Sequence, residues 1–265
     1  MCGGPPVSEG WRTVTLGDVD STNAEALRRA HQGERGPVWI RALSQSHGRG
    51  RQGREWVSEP GNLYASLLLT EPVEPRRLTQ LSFVTALAVH DTASACLEDA
   101  PDAGQLTLKW PNDVLLDGAK ISGILLESTN LAPDLSAIVV GVGLNVRHHP
   151  ATTLYPTTHL RVHGARADVA AAFEALMKAF KARYEQWRGG EGFAVIRDLW
   201  LERAQGMGQK VNVALPDRTL TGVFAGLADD GAMMLRMEDG TEHPVLVGDL
   251  FLPNAGRDAA RPHEE

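Results

Sequence analysis

The sequence predicts an α+β protein: a central mixed or antiparallel sheet with flanking helices, followed by a small all-β barrel. Three observations carry this reading. Apolar runs of strand length recur between Gly, Pro and Asp turn signals. Two long segments, Arg77 to Leu97 and Asp168 to Trp187, carry helical spacing. After Gly206 the texture changes to short strands divided by turns at Pro216-Asp217, Asp229-Asp230-Gly231 and Glu238-Asp239-Gly240.

The elements follow in order. Val14 to Leu16 reads as a strand. Thr22 with Glu25 fits a capping box, which predicts a helix through Ala26, Leu27 and Ala30. Val38 to Leu43 is a strand, and Ser44 to Glu55 is a polar loop rich in Gly and Arg. Asn62 to Leu69 follows a Pro60-Gly61 turn as an apolar strand. Leu106 to Trp110 and Val114 to Leu116 are strands, and Asp117-Gly118 is a hairpin turn into Ile121 to Glu127. Leu135 to Val146 is an apolar strand holding Gly141 and Gly143, residues that let a backbone or ligand approach closely. Gly192 to Arg203 predicts a last helix. The domains expected are residues 1–204 and 205–253, with a disordered tail at 254–265.

Composition narrows the class. The chain has 265 residues, 43% hydrophobic and 22% charged, as in soluble globular proteins. A formal net charge of −7 argues against nucleic acid as the main partner, since phosphate binding usually brings a basic excess. Cys2 and Cys96 have no metal-ligand spacing and no disulfide framework, and Cys96 lies in an apolar helical pattern. The start lacks a signal peptide and no apolar stretch reaches spanning length, so a cytoplasmic protein is expected.

The chemistry concentrates in two segments. Ser44 to Trp56 holds a literal G-x-G-x-x-G at Gly48, Gly50 and Gly53. A dinucleotide site would need a helix directly after that loop, to aim its N-terminus at the pyrophosphate. Here Trp56, a Pro-Gly turn and a strand follow. The glycines can still expose N–H groups to an anion, and Arg49, Arg51 and Arg54 add bidentate phosphate donors. Against this stands a plain solvated basic loop. The second segment is Lys109-Trp110-Pro111-Asn112-Asp113, then Lys120 to Leu125 across the hairpin. It also reads as an ordinary Pro-Asn-Asp turn, but Lys120 opens an apolar strand near Gly123. Asp20 to Asn23 alone is a helix cap, and Asn145 alone a turn residue.

Order and spacing make these pieces specific together. DSTN at 20–23, Q-x-x-G-R-G-R-x-G-R-x-W at 45–56, KWPND at 109–113, K-x-x-G-I-L at 120–125 and G-x-G-x-N at 141–145 resemble the biotin–protein ligase family. The resemblance spans roughly Trp11 to Leu252. It implies a class II synthetase-like catalytic fold with a C-terminal SH3-like barrel. It also implies ATP-dependent conversion of biotin to biotinyl-5'-AMP, and transfer of biotin to a lysine of a biotin carboxyl carrier protein domain of a carboxylase. Ser21, Thr22, Asn23 and Gln45 would hold the ureido ring, with Gly48 and Gly123 lining the pocket. Trp56 and the strand around Leu63 and Leu67 would pack on the apolar body. Arg49, Gly50 and Arg51 would hold phosphates, with Arg49 also at the biotin. Lys120 would serve carboxylate and α-phosphate, and with Arg51 would be catalytic. Lys109, Asn112, Asp113 and Asn145 would face the nucleotide, Asp113 also serving Mg²⁺ through the phosphates.

Departures qualify the resemblance. Regulatory members carry an N-terminal helix-turn-helix with no counterpart here, so an enzyme without specific DNA binding is expected. It would act away from membranes as a monomer or weak homodimer. His47 stands where a small or aliphatic residue is expected, and reads as an exposed loop residue. The adenine-stacking side chain should lie within Arg147 to Arg166. The closest rival is a lipoate–protein ligase of similar architecture. A rival of another class is a nucleic-acid-binding regulator using the Arg-rich loop and the barrel.

Overall fold

Seven strands build the first sheet, in the order β1-β2-β3-β7-β6-β5-β4. They are β1 (Arg12–Val19), β2 (Val38–Gln45), β3 (Leu63–Leu69), β4 (Leu106–Lys109), β5 (Asp113–Leu116), β6 (Ala119–Ala132) and β7 (Leu135–Leu144). Helix α1 (Thr22–His31) crosses from β1 to β2, which makes that pair parallel. Every other neighbour is antiparallel. The computed structural model describes residues 10–70, 77–101, 103–151, 153 and 155–252; Cys2 and the tail 254–265 lie outside them.

Alternation of side chains along each strand gives the sheet two differently covered faces. On one face Trp39, Leu63, Leu67 and Val140 pack against α2 (Gln80–Cys96) and α3 (Val169–Trp187). Trp39 meets Phe173 and Phe180 edge-on at 5.9 and 5.6 Å, the arrangement aromatic quadrupoles favour. The opposite face is covered by α1, whose Ala26 and Ala30 sit on Val38, Ile40, Leu68 and Val139. Asp168 caps α3 by accepting the Ala171 N–H at 2.8 Å. At α1 the cap is Ser21 rather than Thr22: its hydroxyl accepts from the Ala24 N–H, and Glu25 turns to Arg28 and Arg29 instead. The expected capping box is therefore corrected. With two arginines in reach, Glu25 gains more from ion pairing than from closing back on the backbone. Cys96, the last residue of α2, is half-buried, and burial pushes its thiol pKa up.

Helix α4 (Phe193–Leu201) leads into a second, five-stranded antiparallel sheet. Its order is β11-β10-β9-β8-β12, built from β8 (Lys210–Ala214), β9 (Thr219–Leu227), β10 (Met233–Arg236), β11 (Glu242–Val245) and β12 (Asp249–Phe251). The turn at Asp229–Gly231 fastens this sheet to the first. Gln80 Nε2 donates to Asp229 O at 2.8 Å, Thr79 Oγ1 to Asp230 O at 2.7 Å and Trp110 Nε1 to Gly231 O at 3.3 Å. Gly231 has a φ of +84°, and a Cβ there would come within 2.5 Å of the Phe83 ring, so only glycine fits. No helix among the described residues is long and apolar enough to cross a membrane.

Candidate active site

The α1 face of the sheet is bare where β6 and β7 pair. Gly123 lies opposite Gly143, and Gly141 is flanked by Ser66 on β3 and Leu125 on β6. Three missing side chains leave room that α1 does not fill. A Cβ on Gly141 would come 2.3 Å from Asn23 Oδ1, and one on Gly143 2.4 Å from the Trp56 ring. The cleft so formed has a volume of about 440 Å³, in the range of small-molecule sites.

One end of the cleft is polar. The start of α1 brings Ser21, Thr22 and Asn23 there, all buried. Gln45 Oε1 accepts from the Thr22 N–H at 2.8 Å and from Thr22 Oγ1 at 3.1 Å, while Gln45 Nε2 donates to Ser58 Oγ at 2.9 Å. Ser66 Oγ lies 2.7 Å from Thr22 Oγ1 and 2.6 Å from Asn23 Oδ1. Asn23 Nδ2 donates to Glu127 at 2.8 Å. Such a connected network offers a neutral polar ligand groups whose orientations are already set.

The Gly/Arg-rich loop closes one side. No helix follows it, in keeping with the rejected dinucleotide reading: a backbone bond from Gly50 N–H to Arg54 O (2.7 Å) folds it on itself, and Arg49 bridges Glu55. Trp56 then lies over Gly143 and Gly123, with Lys120 Nζ 5.4 Å from its ring. Its buried Nε1 has no acceptor among the described residues.

The other end is cationic. Lys120 pairs with Asp113 at 2.6 Å, held there by the β5–β6 hairpin whose turn residues Asp117 and Gly118 have φ of +51° and +76°. Tyr155 and Phe251 pack on each other with ring centres 5.4 Å apart, and Lys109 Nζ sits beside the pair, 4.2 Å from the centre of the Tyr155 ring and 5.6 Å from that of Phe251. Burial lowers the Lys109 pKa from the ordinary lysine value, Asp113 opposing and Lys120 adding to the shift. Arg51 donates to Asn112 Oδ1 (3.3 Å) and Gly248 O (3.4 Å), and burial pulls its pKa down. Arg54 pairs with Asp249 of β12. Asn145 donates to Thr158 O at 3.0 Å, tying the segment that carries Tyr155 to the end of β7.

The residues singled out from sequence thus converge. Ser21, Thr22, Asn23, Gln45, Arg49, Gly50, Arg51, Trp56, Lys109, Asn112, Asp113, Lys120, Gly123 and Asn145 all line this cleft. Gly48 instead packs the base of the loop, where a Cβ would come 2.3 Å from Trp56 O. The expectation for Leu63 and Leu67 is corrected: both are fully buried on the opposite face, because alternation on β3 turns Ser66 to the cleft. His47 is exposed, its Nδ1 2.9 Å from Ser46 Oγ. Sequence reasoning missed Tyr155, Glu127, Asp249 and Phe251. Only Tyr155 left a signal, as an aromatic residue in the segment expected to carry a stacking ring.

Known proteins share this architecture. Residues 17–145 match the biotin/lipoate A/B protein ligase family, and residues 206–252 match the biotin protein ligase C terminal domain. The chain is 41% identical to a biotin--[acetyl-CoA-carboxylase] ligase of Paracoccus denitrificans, over 83% of this chain and 92% of the relative. It is 32% identical to the ligase of the same name from Mycobacterium tuberculosis, over 91% and 89% of the two chains. The biotin protein ligase of Aquifex aeolicus, solved in complex with biotin and ATP, superposes with a TM-score of 0.73 at 28% identity, covering 91% of this chain and 97% of that one.

Proposed function

The chain belongs to the biotin–protein ligase family, and from that premise we propose how its cleft activates biotin with ATP and passes it to a carrier lysine. The observation that carries the reading is the adjacency of two unlike ends in one cleft. A neutral polar network at Thr22, Asn23 and Gln45 suits the ureido ring, and five cations at Arg49, Arg51, Arg54, Lys109 and Lys120 suit a polyphosphate. The bare glycines between them suit a flat apolar body.

In the first step a biotin carboxylate oxygen attacks the α-phosphorus of ATP. A P–O bond forms to the acyl group, the bond to the β-phosphate bridging oxygen breaks, and pyrophosphate leaves. Both reactants are anionic. Lys120 would stand beside carboxylate and α-phosphate and offset their repulsion and the charge gathering on the non-bridging oxygens. Arg49 and Arg51, with the Gly50 backbone, would fix the phosphates through charge-assisted bonds, and Lys109, Asn112 and Asn145 would complete the nucleotide end. Tyr155, the ring of the 147–166 segment that lines the cleft, is our candidate for stacking on adenine. In the second step a carrier lysine amine attacks the acyl carbon, AMP departs, and the amine loses a proton. Ser21, Gly123 and Trp56 would keep the biotin moiety in place across both steps. No nucleophilic side chain is needed, so positioning does most of the work.

Asp113, Asp249 and the Asn112 amide supply hard oxygen donors at the phosphate end, the kind Mg²⁺ takes together with phosphates. Asp113 would hold the ion, which would neutralise phosphate charge. Residues 1–204 would act as the catalytic unit and 205–253 as a smaller unit contributing Asp249 to the cleft and Phe251 as support for the Tyr155 ring. The acceptor would be the carrier domain of a biotin-dependent carboxylase.

The test is ATP–pyrophosphate exchange driven by biotin or by lipoate, followed by biotin transfer to a purified carrier domain. Exchange with biotin alone supports the reading, and exchange driven by lipoate instead would overturn it.

A further inference from the structure

Glu127 lies outside the cleft wall, yet it touches both of the cleft's recognition elements. It stands on β6, two residues beyond Leu125, on the face turned to α1. Its Oε2 accepts from Asn23 Nδ2 at 2.8 Å, and its carboxylate meets Arg49 NH2 at 3.2 Å. Its side chain is 25% exposed, and that of Arg49 is 45% exposed.

The two contacts differ in weight. The Arg49 pair is open to solvent, and exposed ion pairs contribute little. The Asn23 contact is another matter, because Asn23 is buried and its amide has two chemically opposite ends. A carboxylate can only accept, so it compels Asn23 to face it with nitrogen. The Leu125 carbonyl, 3.4 Å from the same nitrogen, asks for the same orientation. Asn23 Oδ1 is thereby turned toward Ser66 Oγ at 2.6 Å and toward Gly141, on the bare strip of the sheet. Without Glu127, the orientation would rest on the long bond to the Leu125 carbonyl, because the other neighbour, the Ser66 hydroxyl, can donate or accept and so does not select one end of the amide.

We propose that Glu127 is a positioning residue for biotin: it fixes which end of the Asn23 amide the cleft presents to the ureido ring. The inference rests on the assignment of the polar end to biotin. Glu127 acts through Asn23, so its effect falls on biotin capture and leaves the chemistry of activation alone.

The experiment is a double-mutant cycle on the full chain, read by calorimetric titration of biotin and by the biotin and ATP dependence of pyrophosphate exchange. Glu127→Ala should raise the biotin Kd and KM roughly 10- to 100-fold, the scale of one charge-assisted hydrogen bond. It should leave kcat and the ATP KM within about threefold. Glu127→Gln should recover part of the loss, since its amide oxygen can still accept. In an Asn23→Ala background, Glu127→Ala should add almost nothing, because the amide it orients is gone. Losses that multiply in the double variant, or a loss in kcat equal to that in KM, would overturn the proposal. Far-ultraviolet circular dichroism and melting of each variant identify any that misfold, and Glu127→Gln keeps the test open if Glu127→Ala is among them. Failure of the wild-type chain to bind biotin would instead remove the underlying assignment.

Discussion

Replacing Lys120 by alanine tests the electrostatic account of activation. The Lys120 side chain is 21% exposed, with its ammonium 2.6 Å from Asp113 and its backbone fixed on a strand by a tight hairpin, so it is a preorganised charge. Loss of one such donor typically costs about 10²–10³-fold in rate. The same change strips a carboxylate with only 13% exposure of its counter-charge. Leaving a buried group unpaired costs roughly 1–3 kcal/mol. At about 2–4 °C per kcal/mol for a chain of this size, Tm should fall by roughly 2–12 °C. Single-turnover formation of biotinyl-AMP should therefore slow about a hundredfold or more, while transfer from pre-made biotinyl-AMP slows much less, its anhydride already formed. Lys120→Arg should restore only part of the rate, because a planar guanidinium places its donors differently. Equal losses in both half-reactions would show a general binding role, and an unchanged adenylation rate would refute the reasoning.

Three further perturbations probe the rest of the cleft. Gly143→Ala would push the Trp56 ring by about 1 Å from its present seat; overpacking of that kind costs roughly 1–3 kcal/mol of stability, which denaturant titration should record, and calorimetric titration should show weaker biotin binding with the fold intact by circular dichroism. Tyr155→Ala should raise the ATP KM about tenfold or more, the scale of one base–aromatic stack, with biotin affinity within twofold. Lys109 should lose its proton below the ordinary lysine value of about 10.4, so the ATP KM should begin to climb on the alkaline side before that pH, and Lys109→Arg should remove the limb. For folding, the unfolded chain holds more protons in that same window, so the Lys109 contribution to stability rises with pH there, as denaturant titration of wild type against Lys109→Met would record.

Much of this architecture is readable from local pattern, and the exceptions share a cause. Hairpin turns such as Asp117-Gly118 and strand alternation are encoded within a few residues, so β5, β6 and the second sheet follow directly. The converging motifs likewise named most of the cleft. What local pattern does not carry is the pairing that decides which face a strand shows to which neighbour. Leu63 and Leu67 looked as available as Ser66 until β3 was seen between β2 and β7. Glu127 and Asp249 belong to the site only because β6 passes under α1 and because β12 meets the arginine loop from the far end of the chain. The choice of Ser21 over Thr22 as the cap turns on a competition for Glu25 that spacing alone does not decide.

The cleft's cations are not standing idle. Arg54 rests on Asp249 and Lys120 on Asp113, so the protein supplies counter-ions of its own. A nucleotide entering here trades places with tethered carboxylates rather than expelling mobile salt. In polyelectrolyte binding, salt dependence counts the free ions released to solution. Capture of ATP by this cleft should accordingly be far less sensitive to ionic strength than a tally of its positive charges would suggest, and the displaced carboxylates remain tethered beside the site instead of dispersing into solution.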